Sequence, residues 1–101
     1  MKIVDENEFV EETNKGLVLV DFFATWCGPC RMMAGVLEQA EKELKNVKII
    51  KVDVDESEKL ARQYGILSIP TVVLFKDGNA VDSHIGLMTM ESLKNFIEKN
   101  I

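Results

Sequence analysis

Phe22-Phe23-Ala24-Thr25-Trp26-Cys27-Gly28-Pro29-Cys30-Arg31 joins two segments of different periodicity. Upstream, Leu17 to Phe23 is a run of branched and aromatic residues that reads as a strand. Downstream, Met33, Val36, Leu37, Ala40 and Leu44 recur at the spacing of one helix face, so a helix runs from the cysteine pair to about Lys45. The only two cysteines of the chain therefore sit where the carboxyl end of a strand passes into a helix. In open α/β sheets, chemistry gathers at such junctions.

Working outward, Ile3-Val4, Val47 to Val54 and Thr71 to Phe75 read as further strands. Ala80 to Ile85 is a fifth, following the tight-hairpin signal Asp77-Gly78. A first helix follows Asp5 as N-cap, with Glu8 three residues on and Gly16 just past its end. A third runs from about Ser57 to Tyr64 and stops at Gly65. The last runs from about Thr89 to Lys99, with Met90, Leu93 and Ile97 as its buried stripe. The order β-α-β-α-β-α-β-β-α implies an α/β fold. Right-handed parallel crossovers come first and an antiparallel hairpin near the end, giving a central mixed five-stranded sheet flanked by four helices. Neither a repeat nor a linker interrupts the chain, so residues 1–101 are expected to form a single domain.

Twelve basic against seventeen acidic residues leave a net charge of -5, which offers no phosphate-neutralising surface and argues against nucleic acid as a partner. Hydrophobic residues make up 47% of the chain, enough for one core without disulfide stapling. Met1-Lys2-Ile3-Val4 runs straight into Asp5-Glu6, unlike a signal peptide. The longest apolar stretch, Leu17 to Val20, ends at Asp21, far short of a membrane span. The expectation is a cytoplasmic protein without membrane association. In a reducing compartment a cysteine pair more often signals metal or redox chemistry than a staple.

Each use makes different demands on the residues. A staple across a four-residue loop would contribute roughly 2 kcal/mol at best, before strain. Structural zinc wants four ligands, and the chain offers two cysteines and one histidine, His84, on a distant strand. Only a site shared between two chains would complete the set, so no metal is expected. For redox work, Cys27 would lie in the first helical turn, where free N–H groups and the dipole favour a thiolate. Pro29 suits that turn because its missing N–H would be unpaired anyway. Cys30 would follow one turn in, more buried. An exposed acidic thiol with a second behind it suits thiol–disulfide exchange.

These residues also carry a resemblance. Trp26-Cys27-Gly28-Pro29-Cys30 resembles the active site of the thioredoxin family, and Val20 to Thr25 its preceding strand. Lys51-Val52-Asp53-Val54-Asp55 is similar to the family's third strand, Ser68-Ile69-Pro70-Thr71 to its cis-proline loop and Phe75-Lys76-Asp77-Gly78 to its hairpin. Gly86 completes the pattern, which spans essentially the whole chain in order. The resemblance implies that Cys27 is the nucleophile and Cys30 the resolving cysteine. It makes Asp21 a buried acid assisting proton transfer behind Cys30, with Lys51 as its basic neighbour. Pro70 corresponds to the cis-proline, leaving the backbone of Ile69 to an extended substrate. Trp26, Gly28, Pro29, Ile69 and Gly86 would form a docking surface, extended by Leu87 and Met88. The chain departs from the pattern at Gly35, where proline is usual, at Arg31 in place of lysine and at Phe23, where tryptophan is frequent. None of these removes a catalytic group.

Read on their own, the same residues keep simpler options. Asp21 interrupts an apolar strand, and a buried carboxylate is costly unless it pairs or is neutralised; otherwise it is a strand-end acid facing solvent. Lys51 reads equally as a solvated lysine, Trp26 as core and His84 as a surface strand residue. Asp53 to Ser57 starts like a calcium loop, but Glu58 and Tyr64 occupy the positions that need glycine and glutamate. With no phosphate loop or dinucleotide fingerprint, no cofactor is expected and electrons must come from a partner protein. The resemblance implies a monomeric dithiol–disulfide oxidoreductase that reduces disulfides in substrate proteins. A thioredoxin reductase, NADPH- or ferredoxin-dependent, would recycle it. The alternatives are a non-catalytic binding module using the apolar face around Trp26, or a disulfide isomerase or glutaredoxin-like protein.

Overall fold

Strand Leu17–Phe23 is buried along almost its whole length, which explains why its sequence is apolar at nearly every position instead of alternating. In a computed structural model describing residues 1–101, it is the second of five strands. The elements are β1 (Lys2–Ile3), α1 (Phe9–Thr13), β2 (Leu17–Phe23), α2 (Gly28–Glu43), β3 (Lys48–Asp53), α3 (Glu58–Gln63), β4 (Thr71–Lys76), β5 (Asn79–Ile85) and α4 (Met90–Glu98). They follow the expected order. The sheet order is β1-β3-β2-β4-β5; β3 pairs in parallel with β1 and β2, while β4 is antiparallel to both β2 and β5.

Period-two alternation splits the core into two layers. Leu19, Ile49, Val72 and Leu74 pack with Met33, Leu37 and Ala40 of α2 and with Leu93, Phe96 and Ile97 of α4. Val18, Val20, Phe22, Ile50, Val52, Val73 and Phe75 face the other way, against Phe9 and Leu60 of α1 and α3. Asp21 and Phe23 share the parity of Leu19, so both lie on the α2 side.

Local chemistry sets the boundaries. The Asp5 carboxylate accepts the N–H groups of Asn7 and Glu8, and Glu8 Oε1 accepts the N–H of Asp5 in return. That reciprocal cap closes a turn, and the regular helix starts later than expected, at Phe9, with Glu8 in the N-cap position. Strand β1 ends at Ile3, one residue early, although Val4 is buried and donates its N–H to Lys51 O at 2.8 Å. The hairpin turn has positive φ at both Asp77 and Gly78, as a two-residue type I′ loop requires. Asp77 is tied to Gly16 twice, through N–H to carbonyl at 2.9 Å and from Gly16 N–H to Oδ1 at 2.8 Å. Leu93 and Ile97 of α4 are buried as expected and half-buried Met90 packs against the same layer, while Phe96 joins them and widens the stripe. Met88, expected on the docking surface, is instead 5% exposed and packs in the α2–α4 layer.

Candidate active site

Four short connections converge where β2 gives way to α2. Ala24 and Thr25 leave the sheet, Trp26 turns the chain, and Cys27 becomes the N-cap of α2 with extended backbone. Cys27 Sγ accepts the N–H of Cys30 at 3.2 Å and so satisfies one of the donors that a helix start leaves free. Pro29 stands in the first turn, where it forfeits no hydrogen bond. Cys27 and Cys30 are joined by a disulfide, with Cα atoms 5.2 Å apart. Arg31 reaches back to donate to Thr25 O at 3.3 Å, bracing the turn from the far side.

The expected contrast between an exposed Cys27 and a buried Cys30 is absent from the disulfide: the two residues are 5% and 3% exposed. They share a small buried cluster with Phe23 and Ala24, against which Val54 and Ile69 pack. Cys27 is also one position outside the helix, not within its first turn.

The segment before β4 approaches from the other side. The Ile69–Pro70 peptide bond is cis, and Ile69 O lies 4.0 Å from Cys27 Sγ. Pro70 is buried, and its carbonyl accepts the N–H of Gly86 at 2.8 Å, tying the end of β5 to this loop. Gly86 has φ +102°, a conformation that side chains disfavour. Gly28 and Pro29 are exposed beside the disulfide, as is Leu87. Trp26 is 67% exposed rather than core, yet its indole N–H donates to Asp55 Oδ2 at 2.8 Å. Asp55 is the residue that sequence reasoning missed as part of the site. It was legible only as the end of the β3 motif, because a partner 29 residues away leaves no local signal.

Asp21 is fully buried, and neither carboxylate oxygen has a hydrogen-bond partner in the protein. Burial pushes its pKa up to about 6, against an opposing pull from the Lys51 charge. Lys51 stands opposite Asp21 in the β2–β3 register. It is half-buried, with Nζ 4.3 Å from the centre of the Phe23 ring. His84 is half-buried too, with its ring 6.4 Å from that of Phe96. No three His, Cys, Asp or Glu side chains converge as a metal site.

Comparison with known proteins agrees with this geometry. The thioredoxin family model matches residues 1–99. The chain is 47% identical over 100 residues to the thioredoxin of Chlamydia trachomatis, covering 99% of this chain and 98% of that protein. It is 43% identical over 102 residues to the thioredoxin of Bacillus subtilis, covering 100% and 97%. Among solved structures, the thioredoxin of Plasmodium falciparum superposes with a TM-score of 0.91 at 40% identity, covering all of both chains. A disulfide in a Cys-Gly-Pro-Cys turn at the head of α2, within a match that spans the sheet and every helix, has one reading: this chain belongs to the thioredoxin family of dithiol–disulfide oxidoreductases.

Proposed function

We propose that the whole chain works as a single domain that reduces disulfides in substrate proteins, with Cys27 as nucleophile and Cys30 as resolving cysteine. In the reduced protein, the Cys27 thiolate attacks one sulfur of a substrate disulfide. The substrate S–S bond breaks, a mixed disulfide forms, and the other substrate sulfur leaves as a thiolate that takes up a proton. Cys30, deprotonated, then attacks Cys27 Sγ, expels the second substrate sulfur and forms the Cys27–Cys30 bond. Two electrons pass from the protein to the substrate. The free N–H groups and dipole at the start of α2 favour the Cys27 thiolate.

Asp21 is the proposed proton acceptor for Cys30. It lies on the sheet face covered by α2, whose first turn carries Cys30, and a carboxyl near 6 can both take and return a proton close to neutrality. Lys51 would tune it. Trp26, Gly28, Pro29, Ile69 and Gly86 form the proposed rim on which a substrate strand docks, with Pro70 holding Ile69 in place. The observation that carries the reading is the disulfide itself, capping α2 beneath the Ile69 carbonyl.

A protein of this kind needs a reductase partner, because its own oxidised form is the product of each turnover. The full-length match to bacterial thioredoxins supports a reductase partner, and the proposal extends to a monomer in the cytoplasm recycled by an NADPH- or ferredoxin-dependent thioredoxin reductase. No helix is long and apolar enough to cross a membrane. The test is the equilibrium reduction potential of the Cys27–Cys30 couple against defined thiol buffers. A value near the roughly -270 mV typical of thioredoxin, a family figure and not one read from this structure, supports a reductase. A value around -180 to -120 mV indicates an isomerase or oxidase instead.

A further inference from the structure

Phe23 is the last residue of β2, and the register sets it beside Asp53 while Asp21 lies beside Lys51. Period two puts all four side chains on the face that α2 covers. Lys51 enters none of the ion pairs in the molecule, although it stands next to a buried carboxyl. Its ammonium is held over the face of Phe23 instead, 4.3 Å from the ring centre and well inside the range of a cation–π contact. Phe23 is 7% exposed and belongs to the small buried cluster that also holds Ala24, Cys27 and Cys30, so the ring over which the cation lies is itself packed.

We propose that Phe23 is a positioning residue: its ring holds the Lys51 ammonium beside the Asp21 carboxyl, close enough to act on its charge and outside contact distance. A lysine of four methylenes would otherwise extend into water, where its field on a buried group is screened. The other charged or titratable groups of this face are elsewhere engaged or remote. Asp53 accepts the N–H of Asp55. On β5, two strands from Asp21, Asp82 is held by Lys99 and Asn100 and His84 meets Phe96 edge-on. Lys94 of α4 pairs with Glu43 of α2. Strand β4 contributes Val72 and Leu74 to the core of this face, and its Lys76 is exposed at the far end, opposite Leu17. From α2, the sulfurs of Cys27 and Cys30 complete the surroundings, joined in the disulfide.

The inference builds on the proton-transfer role proposed for Asp21, and one experiment separates the two. In the oxidised protein, the Asp21 carboxyl carbon is titrated by NMR in wild type, Phe23→Leu, Phe23→Trp, Lys51→Met and Phe23→Leu/Lys51→Met. Lys51→Met is expected to move the titration upward. Phe23→Leu should move it the same way by less, Phe23→Trp should leave it in place, and Phe23→Leu should add nothing once Lys51 is methionine. An unmoved Phe23→Leu titration overturns the proposal, as does an equal displacement in both backgrounds. Should Phe23→Leu not fold, the Lys51 ε-methylene protons of the wild type decide: ring-current displacement upfield supports the contact, and ordinary positions overturn it. Disulfide-reduction rates of the same variants test the parent reading. Titrations that move while rates do not would keep Phe23 as the holder of Lys51 and remove Asp21 from the reaction.

Discussion

Trp26 is two-thirds exposed yet anchored: its indole N–H donates to Asp55 Oδ2 at 2.8 Å, across the gap between the β2–α2 turn and the segment after β3. A large aromatic left in water at a reactive disulfide, and fixed there by a carboxylate, is organised before any substrate arrives. Pre-organisation lowers the ordering cost of binding. Asp55→Ala should therefore raise KM for protein substrates with little change in kcat, lowering kcat/KM roughly fivefold for an interaction of about 1 kcal/mol. Trp26 is the only tryptophan, so its fluorescence anisotropy reports on this ring alone and should fall in the variant. An unchanged anisotropy with unchanged KM would show that the bond restrains nothing that matters.

Cys30 lies one helical turn from Cys27, and the Cα atoms are 5.2 Å apart, within the range a disulfide needs. In the proposed reaction it is the second cysteine that releases a bound substrate without help from an added thiol. Cys30→Ser is expected to accumulate a covalent adduct with disulfide-bearing proteins, visible on a non-reducing gel and lost on adding excess thiol. Cys27→Ser should form none. Equal trapping by both variants would reverse or dissolve the division of labour between them.

Asp21 gives the clearest link between site and stability. Its pKa is raised to about 6 from the ordinary 3.8, so between these values the folded protein holds a proton that the unfolded chain has lost. Its contribution to stability is thus fully present below about pH 4 and is lost as pH rises through 6. The gap corresponds to about 3 kcal/mol. Asp21→Asn should raise stability by up to this amount at pH 7 to 8 and by little near pH 4, measured by denaturant unfolding of the oxidised form. The same variant should slow disulfide transfer near neutral pH. Glu8, Glu12, Glu43 and Asp82 are lowered by their hydrogen bonds, chiefly to Lys2, Lys48, Gln39 and Asn100, so they favour the fold less as pH falls. Wild-type stability therefore carries both trends, and the difference from Asp21→Asn isolates one.

The features readable in sequence were those decided by near neighbours. Helix α2 declared itself through Met33, Leu37 and Ala40, the hairpin through Asp77-Gly78, and the site through two cysteines at a strand–helix junction. What was not readable depended on partners distant along the chain. Cys27 looks exposed in a local reading because it follows Trp26 and precedes Gly28, but Ile69 and Val54 close over it. Met88 looks like surface until α2 and α4 are packed together. Asp5 carries the signature of a helix cap, and its carboxylate does cap N–H groups, but the turn it closes is separate from the helix that follows. Lys51 could be solvated or functional by sequence; its ammonium lies over the ring of Phe23, a residue of the neighbouring strand.

Gly35 and Gly86 present the same free space to a side chain and should respond in opposite ways. A Cβ built on either meets nothing within 4 Å. Gly35 is exposed in the interior of α2, where glycine costs about 1 kcal/mol relative to alanine through its greater freedom in the unfolded chain. Gly35→Ala should therefore stabilise by about 1 kcal/mol, raising Tm by roughly 4–8 °C in a domain of this size, with the Cys27–Cys30 potential unchanged. Gly86 holds φ +102° and donates its N–H to Pro70 O at 2.8 Å. Alanine there must accept backbone strain of about 1–3 kcal/mol or turn out of that conformation and give up the bond. Gly86→Ala should lower Tm and, because the bond ties the end of β5 to the Ile69–Pro70 loop, also raise KM for protein substrates. If it lowers Tm while leaving KM untouched, the glycine serves the turn alone and the docking rim ends at Pro70.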